Sequence, residues 1–274
     1  MLHSLSFLSS RPSHPDMNDI IPDGPLQSGF TIPVLDHGFV RYIDHMGTDT
    51  RIVEAARISY RSPSKGADAD QKLLEYLWKN KHTSPFEMVK VTMNIKLPIF
   101  VMRQYVRHRM QNLNEVSARY TELPNEFYIP TKWRKQDTKN KQGSQAADDW
   151  DIPGFDMLGA NGEVTVKGVT ASPNETWTES LRRACEQCYS TYQMMLDNGV
   201  AREMARMVLP VNIYTEIYAC WDMKNLLHFI TLRDDGHAQS EIQEYGRAIK
   251  AVCRKLFPGV IKAYEKYQWK LVES

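Results

Sequence analysis

Residues 90–97 set Val91, Met93 and Ile95 on one side of the chain and Thr92, Asn94 and Lys96 on the other, the period of a half-buried strand. Pro98 then opens IFVMRQYVRHRM, where the apolar spacing becomes helical. The same succession recurs near VNIYTEIYACW and KNLLHFITLR. Strands with one apolar face, interleaved with helices, restrict the chain to an α+β fold in which helices pack on an antiparallel sheet.

The rest of the chain fits that frame. FTIPVLDHGFVRYIDHMG reads as strand, turn and strand, with the turn at residues 36–38. Thr48 or Asp49 can cap a helix through IVEAARIS, and Asp68 with Gln71 resembles a capping box at the start of DQKLLEYLWKN. Further helices are expected at about 176–197 and 201–209 and again after Gly236. Residues 1–30 are Pro/Ser/Asp-rich and aperiodic, so a disordered tail is expected ahead of one domain over 31–274. A polar stretch beginning at KQDTKNKQGSQ reads as a surface insertion at about 134–175 that carries no chemistry, with a small hairpin at GEVTVKG.

At 42% hydrophobic, the 274 residues hold ample material for a packed core. A formal net charge of +1 supplies no bulk attraction for a polyanion or an acidic membrane. No stretch reaches the roughly 18 apolar residues of a membrane helix. The N-terminal MLHSLSFLSSRPSHP lacks the basic start and cleavage pattern of a secretory signal. Cys185 and Cys188 form a C-x-x-C, but in mid-helix, away from the helix N-terminus where the dipole activates a thiol. With Cys220 and Cys253 they read as reduced thiols, which favours a cytoplasmic compartment. No second C-x-x-C completes a zinc site, and no metal is expected.

The densest polar constellation is Arg103-Gln104-x-x-Arg107-His108-Arg109, followed by Asn114-Glu115-x-Ser117-x-Arg119. On a helix, positions 103, 104, 107, 108 and 111 form one polar stripe, which leads into a polar turn carrying Glu115, Ser117 and Arg119. Arginine forks suit phosphate, amides suit a base edge and a carboxylate suits a ribose hydroxyl, so a nucleotide is a natural ligand. A solvated basic face gives the same pattern, as does a nucleic-acid patch, although the near-neutral chain offers no wider basic stripe. Arg206 and Arg233 stand beside apolar runs, where each can equally be a half-buried ion pair; Arg233 has Asp234 and Asp235 next to it. His237 after Gly236 can be a cap residue, and Ser84-Pro85-Phe86-Glu87 reads as a capping box with Pro at N1.

Arg107-His108-Arg109, seven residues and then Ser117 resembles the R-H-R-x7-S signature of the flavin-dependent thymidylate synthases. HTSPFEM, LPIFVMRQYVRHR, SARY, EFYIP, MARMVLP, LHFITLR and HAQSEIQEY follow the family's order, so the resemblance spans about 32–132 and 176–265. It implies an FAD-dependent methyltransferase acting on dUMP. The one-carbon unit would come from 5,10-methylenetetrahydrofolate and the flavin hydride from NADPH, giving dTMP. It also implies a homotetramer with active sites at subunit interfaces, and neither nucleic-acid nor membrane partners.

The resemblance carries roles to matching positions. Gln104, Arg107, Glu115, Ser117, Ala118, Arg119, Arg206 and Arg233 would hold dUMP, Ala118 through its backbone, with Arg233 beside the uracil as the catalytic residue. Ser59, Ser84, Glu87, Arg107, His108, Arg109, Asn114, Glu115, Lys224, His228 and His237 would contact the flavin. Asn112 departs from members that carry a serine there, and Lys224 and Asp222 stand at positions that vary in the family. The four cysteines lie away from the signature, which fits a route without a cysteine nucleophile. Ser117 has no His–Asp pair arranged around it in sequence, so a phosphate or sugar contact is its expected role. Two other readings remain: a nucleotide- or RNA-binding module would bind polynucleotide in a salt-sensitive way, and a different flavoprotein would reduce flavin regardless of dUMP.

Overall fold

The computed structural model of the chain describes residues 20–138, 143–146 and 176–268. The strands are β1 (Thr31–Val34), β2 (Gly38–Met46), β3 (Lys90–Pro98), β4 (Asn112–Glu115), β5 (Arg134–Gln136), β6 (Ser144–Ala146) and β7 (Tyr214–Asp222). Five of them form an antiparallel sheet in the order β1-β2-β3-β7-β4, and β5 pairs with β6 in a separate hairpin. The helices are α1 (Asp49–Arg57), α2 (Ala67–Lys79), α3 (Ile99–Tyr105), α4 (Trp177–Asp197), α5 (Arg202–Ala205), α6 (Met223–Arg233), α7 (Ser240–Leu256) and α8 (Pro258–Lys266). The architecture is α+β, as the periodicity predicts.

The central strand is buried more completely than alternation alone implies. Val91, Met93, Ile95 and Leu97 enter the core as expected, but Asn94 on the other face is also buried. Its amide is satisfied there: Nδ2 donates to the Ile217 carbonyl at 3.2 Å and Oδ1 accepts from Arg41 at 3.0 Å. A buried amide with both ends paired avoids the desolvation penalty of an orphaned one. The main core lies between the sheet and the helices. From α7 it takes Ile242, Tyr245, Ala248, Ile249 and Val252, spaced at three and four residues along one helical face. A smaller cluster of Ala118, Leu123, Phe127, Cys185 and Ile213 sits under α4.

Several local expectations give way to tertiary contacts. The helix after Pro98 stops at Tyr105 instead of continuing through Arg109. Residues 106–111 turn, and the expected polar turn beyond them is the edge strand β4, paired to β7 from Asn112↔Cys220 to Glu115↔Ile217. The continuous helical stripe through 103, 104, 107, 108 and 111 therefore does not exist, because the chain must reverse to reach the sheet. Asp68 does not cap α2, whose N-cap is Gly66 with no side-chain bond, and Gln71 instead donates to the Gly259 carbonyl. Asp49 occupies the first turn of α1, yet its carboxylate accepts from the backbone of Gly259 at 2.7 Å and Val260 at 3.2 Å, serving the N-terminus of α8.

Ser84–Met88 is a 3₁₀ turn without a side-chain cap. The capping box that is present, Thr176 with Glu179, opens α4. Residues 20–30 fall within the expected tail but pack: Leu26 is buried, and Gly29 and Phe30 exchange backbone hydrogen bonds with Tyr42. The hairpin expected at GEVTVKG lies outside the described residues. Among the described residues no helix is long and apolar enough to cross a membrane, and no group of His, Cys, Asp and Glu is arranged to hold a metal.

Candidate active site

The turn after α3 lies on an aromatic floor. Tyr105 and Trp221 are fully buried, and the indole Nε1 of Trp221 donates to the Tyr105 hydroxyl at 2.7 Å. Phe229 from α6 packs edge-on against Tyr105, and the His108 ring stacks edge-on against Phe229 with centroids 4.9 Å apart. This packing draws His108 inward and leaves Arg107 and Arg109 exposed on either side. Alternate side chains in the turn thus serve the core and the solvent.

His108 and Arg233 form the central contact. The Arg233 Nε–H donates to His108 Nε2 at 3.0 Å, which requires the lone pair on Nε2 and assigns the imidazole proton to Nδ1. Burial, then the charge of Arg233 and the neighbouring His228, push the His108 imidazole down to about 4. Burial also lowers the Arg233 guanidinium, although arginine keeps its charge in proteins. Arg233 is thus a permanent cation held in place by a neutral imidazole.

These two residues share a cavity of about 520 Å³ with Arg107, Arg109, Met110, Trp221, Asn225, His228 and Leu232. A second cavity, of about 450 Å³, is lined by Arg103, Val106, Glu115, Ser117, Ala118, Arg206 and Thr215, among others. Segment 103–110 contributes to both. Glu115 accepts from the Thr215 hydroxyl at 2.8 Å, and the Ser117 hydroxyl accepts from the Arg119 backbone N–H at 3.3 Å. Among the described residues no histidine or cysteine lines the second cavity, so no imidazole stands beside Ser117 to activate it.

The remaining candidates lie apart from these two cavities. Gln104 donates to Gln239 at 2.5 Å, and Arg119 pairs with Glu203 at 3.2 Å on the surface. Ser59, Ser84, Glu87 and Asn114 are exposed, the first on a 3₁₀ turn and the last on β4. Lys224 donates to Asn225 at 3.1 Å. His237 lines a third cleft and is paired with Asp235 at 2.8 Å. Arg103 belongs to the polar constellation legible in the sequence, whereas Thr215, Trp221 and Asn225 lie outside it. Asn225 had a readable signal, since Asp222 caps its backbone N–H at 2.9 Å in the pattern of an N-cap three residues upstream. The cysteines are free, and burial pushes the Cys253 thiol up to about 12.

The neutrality of His108 has a measurable consequence. Its folded value lies below the ordinary 6.5, so the unfolded chain takes up the proton first as pH falls. The stability it contributes is complete above pH 6.5 and is lost as pH falls toward about 4. The size is at most about 3 kcal/mol, reduced because the ring borders an open cavity. Melting temperature measured between pH 4 and 7 should therefore fall less steeply for His108→Asn than for the wild type. Identical acid limbs would show that another group carries the effect.

The family described as thymidylate synthase complementing protein matches residues 41–259. A flavin-dependent thymidylate synthase of Thermus thermophilus is 44% identical over 245 residues, which cover 89% of this chain and 80% of that protein. One from Treponema denticola is 42% identical over 237 residues, covering 86% and 82%. The crystal structure of a UMP/dUMP methylase, PolB, from Streptomyces cacaoi with 5-Br dUMP superimposes with a TM-score of 0.69 at 28% identity, covering 86% of this chain and 98% of that one.

Proposed function

The chain belongs to the flavin-dependent thymidylate synthase family, and we propose from that premise that its two cavities are the flavin and nucleotide halves of one active site. It is an enzyme that transfers a one-carbon unit from 5,10-methylenetetrahydrofolate to dUMP and yields dTMP, with FAD as cofactor and NADPH as reductant. The observation that carries the residue assignment is the Arg233–His108 contact on the wall of a cavity rich in guanidinium groups.

The residues present suit the cofactor. FAD carries a diphosphate and a planar ring system. Arg107, Arg109 and His228 offer cationic or hydrogen-bonding groups for the first, and Trp221, Met110 and Leu232 offer apolar surface for the second. When bound, the reduced flavin supplies the hydride that completes the methyl group. Arg206 and Arg103 in the other cavity hold the phosphate of dUMP, with Ser117 and the Ala118 backbone beside it. Glu115, aligned by Thr215, accepts from the ribose hydroxyl.

Arg233 acts on the base. Its Nε is occupied by His108, which leaves the terminal Nη groups without a partner among the described residues, free to donate to uracil O2. A fixed cation there stabilises the enolate-like uracil that makes C5 nucleophilic, and it does so without transferring a proton. Among the described residues no cysteine lines either cavity.

A homotetramer is the natural frame for the remaining residues. Ser59, Ser84, Glu87, Asn114, Lys224 and His237 are then contributed to the site of a neighbouring subunit. Supporting this, apolar side chains stand exposed beside them and beside the turn: Tyr60 is 84% exposed, Tyr120 78% and Met110 67%. The outer edge of β4, which has no strand beside it among the described residues, is a further surface to cover. A cytoplasmic location fits the free thiols.

The test is NADPH oxidation by purified protein with FAD and methylenetetrahydrofolate, with and without dUMP, and dTMP followed by chromatography. Oxidation that depends on dUMP and yields dTMP is expected. Oxidation indifferent to dUMP, with no dTMP, would overturn the assignment.

A further inference from the structure

The turn between α6 and α7, residues 234–239, begins immediately after Arg233 and carries His237 and Gln239. Its first residue is anchored: Asp234 accepts from Arg247 at 3.2 Å and pairs with Lys250. Its far end runs into Glu241, a buried carboxylate in the first turn of α7. Arg134, the first residue of β5, places one terminal nitrogen, Nη2, on both oxygens of Glu241 at 2.8 Å, while its Nη1 binds the Ser240 hydroxyl. The Tyr128 hydroxyl also donates to that carboxylate, at 3.2 Å. Burial by itself would raise the Glu241 carboxyl, but the charge and hydrogen bonds of Arg134 outweigh it and hold the group below its usual range.

Arg134 opens the segment that the sequence marks as an inert insertion. The hairpin β5–β6 and the turn face each other across a cleft of about 730 Å³, lined on one side by Arg134 and Gln136 and on the other by His237 and Gln239. Between its two anchors the turn is tied at Ala238, which packs against the main core and whose carbonyl accepts from Gln243 at 2.6 Å, while the His237 side chain is left outside. His237 is 90% exposed and bonds only to Asp235 within the same turn, while Gln239 is bridged to Gln104 on α3. The direction of His237 therefore follows the backbone of the turn, which is held at Asp234, at Ala238 and at the start of α7.

We propose that Arg134 is a positioning residue for the flavin site: its guanidinium, spanning Ser240 and Glu241, fixes the α7 end of the 234–239 turn and so helps to hold His237 where a cofactor can meet it. The first residue of the insertion is then a brace on the active-site turn. This rests on the reading of His237 as a flavin contact. A planar guanidinium can hold Ser240 through one nitrogen and Glu241 through the other, whereas a lysine supplies the charge on a single nitrogen and cannot reproduce both contacts in that geometry.

The experiment uses the full chain with Arg134→Met, Arg134→Lys, His237→Ala and the Arg134→Lys/His237→Ala pair. FAD dissociation constants are read from flavin fluorescence, and amide hydrogen exchange is followed in the apo protein. Arg134→Met should weaken FAD binding about tenfold, Arg134→Lys should weaken it less, and both should speed exchange selectively in residues 235–240. The double variant should bind FAD no more weakly than His237→Ala, because Arg134 acts through that residue. If Arg134→Met fails to fold, Arg134→Lys with the double variant decides the matter alone. FAD affinity unchanged by the Arg134 variants but weakened by His237→Ala would overturn the positioning role and leave the flavin reading intact. Affinity unchanged in every variant would remove both. Additive losses in the double variant would also overturn the proposal.

Discussion

Arg233→Ala is expected to lower kcat by about a hundredfold to a thousandfold, with a much smaller effect on folding. The guanidinium lies in a partly enclosed cavity, where a fixed charge acts more strongly on developing negative charge than it would in water. Its stem lies at the end of α6 and is only half-buried, so truncation leaves no large void. The folding cost is the hydrogen bond to His108, about 1 kcal/mol, since that imidazole keeps its burial but loses its donor. Arg233→Lys should recover little. Lysine keeps the charge but cannot reach His108 and the base together with one ammonium. The measurement is single-turnover dTMP formation under saturating dUMP and FAD, alongside a melting curve. A rate within a few-fold of wild type would remove Arg233 from the chemistry, and a collapse of the melting temperature would recast it as structural.

Arg206→Ala is expected to weaken dUMP binding about tenfold to a hundredfold, the value of a charge-assisted hydrogen bond of about 1.5–3 kcal/mol, while kcat falls little. Arg206 is exposed in the 3₁₀ turn Arg206–Val208 and lines the cavity that holds Ser117 and Glu115. No carboxylate pairs with it among the described residues, so its guanidinium is available to a phosphate. Arg119 provides the contrast. It is already paired with Glu203 at 3.2 Å on the surface, and within one chain it has less to offer an anion. Arg119→Ala should therefore move the dUMP constant less, unless assembly redirects the side chain. Titration of dUMP at two salt concentrations reads both effects, because phosphate contacts weaken as salt rises. A loss of kcat with unchanged dUMP affinity in Arg206→Ala would assign that arginine to the reaction rather than to the phosphate.

The two arginines also differ in how they could be read beforehand. Each was visible in sequence only as a cation beside an apolar run, equally suited to a structural ion pair. Arg206 has no ion-pair partner among the described residues, and Arg233 is bound to a neutral imidazole instead of to Asp234 or Asp235. Asp234 pairs with Arg247 and Lys250 of α7, and Asp235 pairs with His237. That division of partners frees Arg233, and nothing in LRDDGHAQ states it. Only the family motifs singled the residue out.

What the sequence determined by itself is what repeats at short range. The period-two stretches at 90–97 and around VNIYTEIYACW became β3 and β7, and the helical spacing of KNLLHFITLR became α6, because burial of one face imposes its period on the element that carries it. The R-H-R-x7-S signature identified the chemistry for the same reason: its residues are close in sequence. Tertiary structure decided the rest. The helix breaks after Tyr105 because His108 must pack on Phe229 and the following residues must pair with β7, a strand about a hundred positions later. Asp49 caps a helix 210 residues away, and Arg134 meets Glu241 across 107. These contacts join elements whose local patterns are complete without them, so no periodicity records them. Which arginine faces a ligand and which faces a carboxylate was settled only when the sheet brought distant turns together.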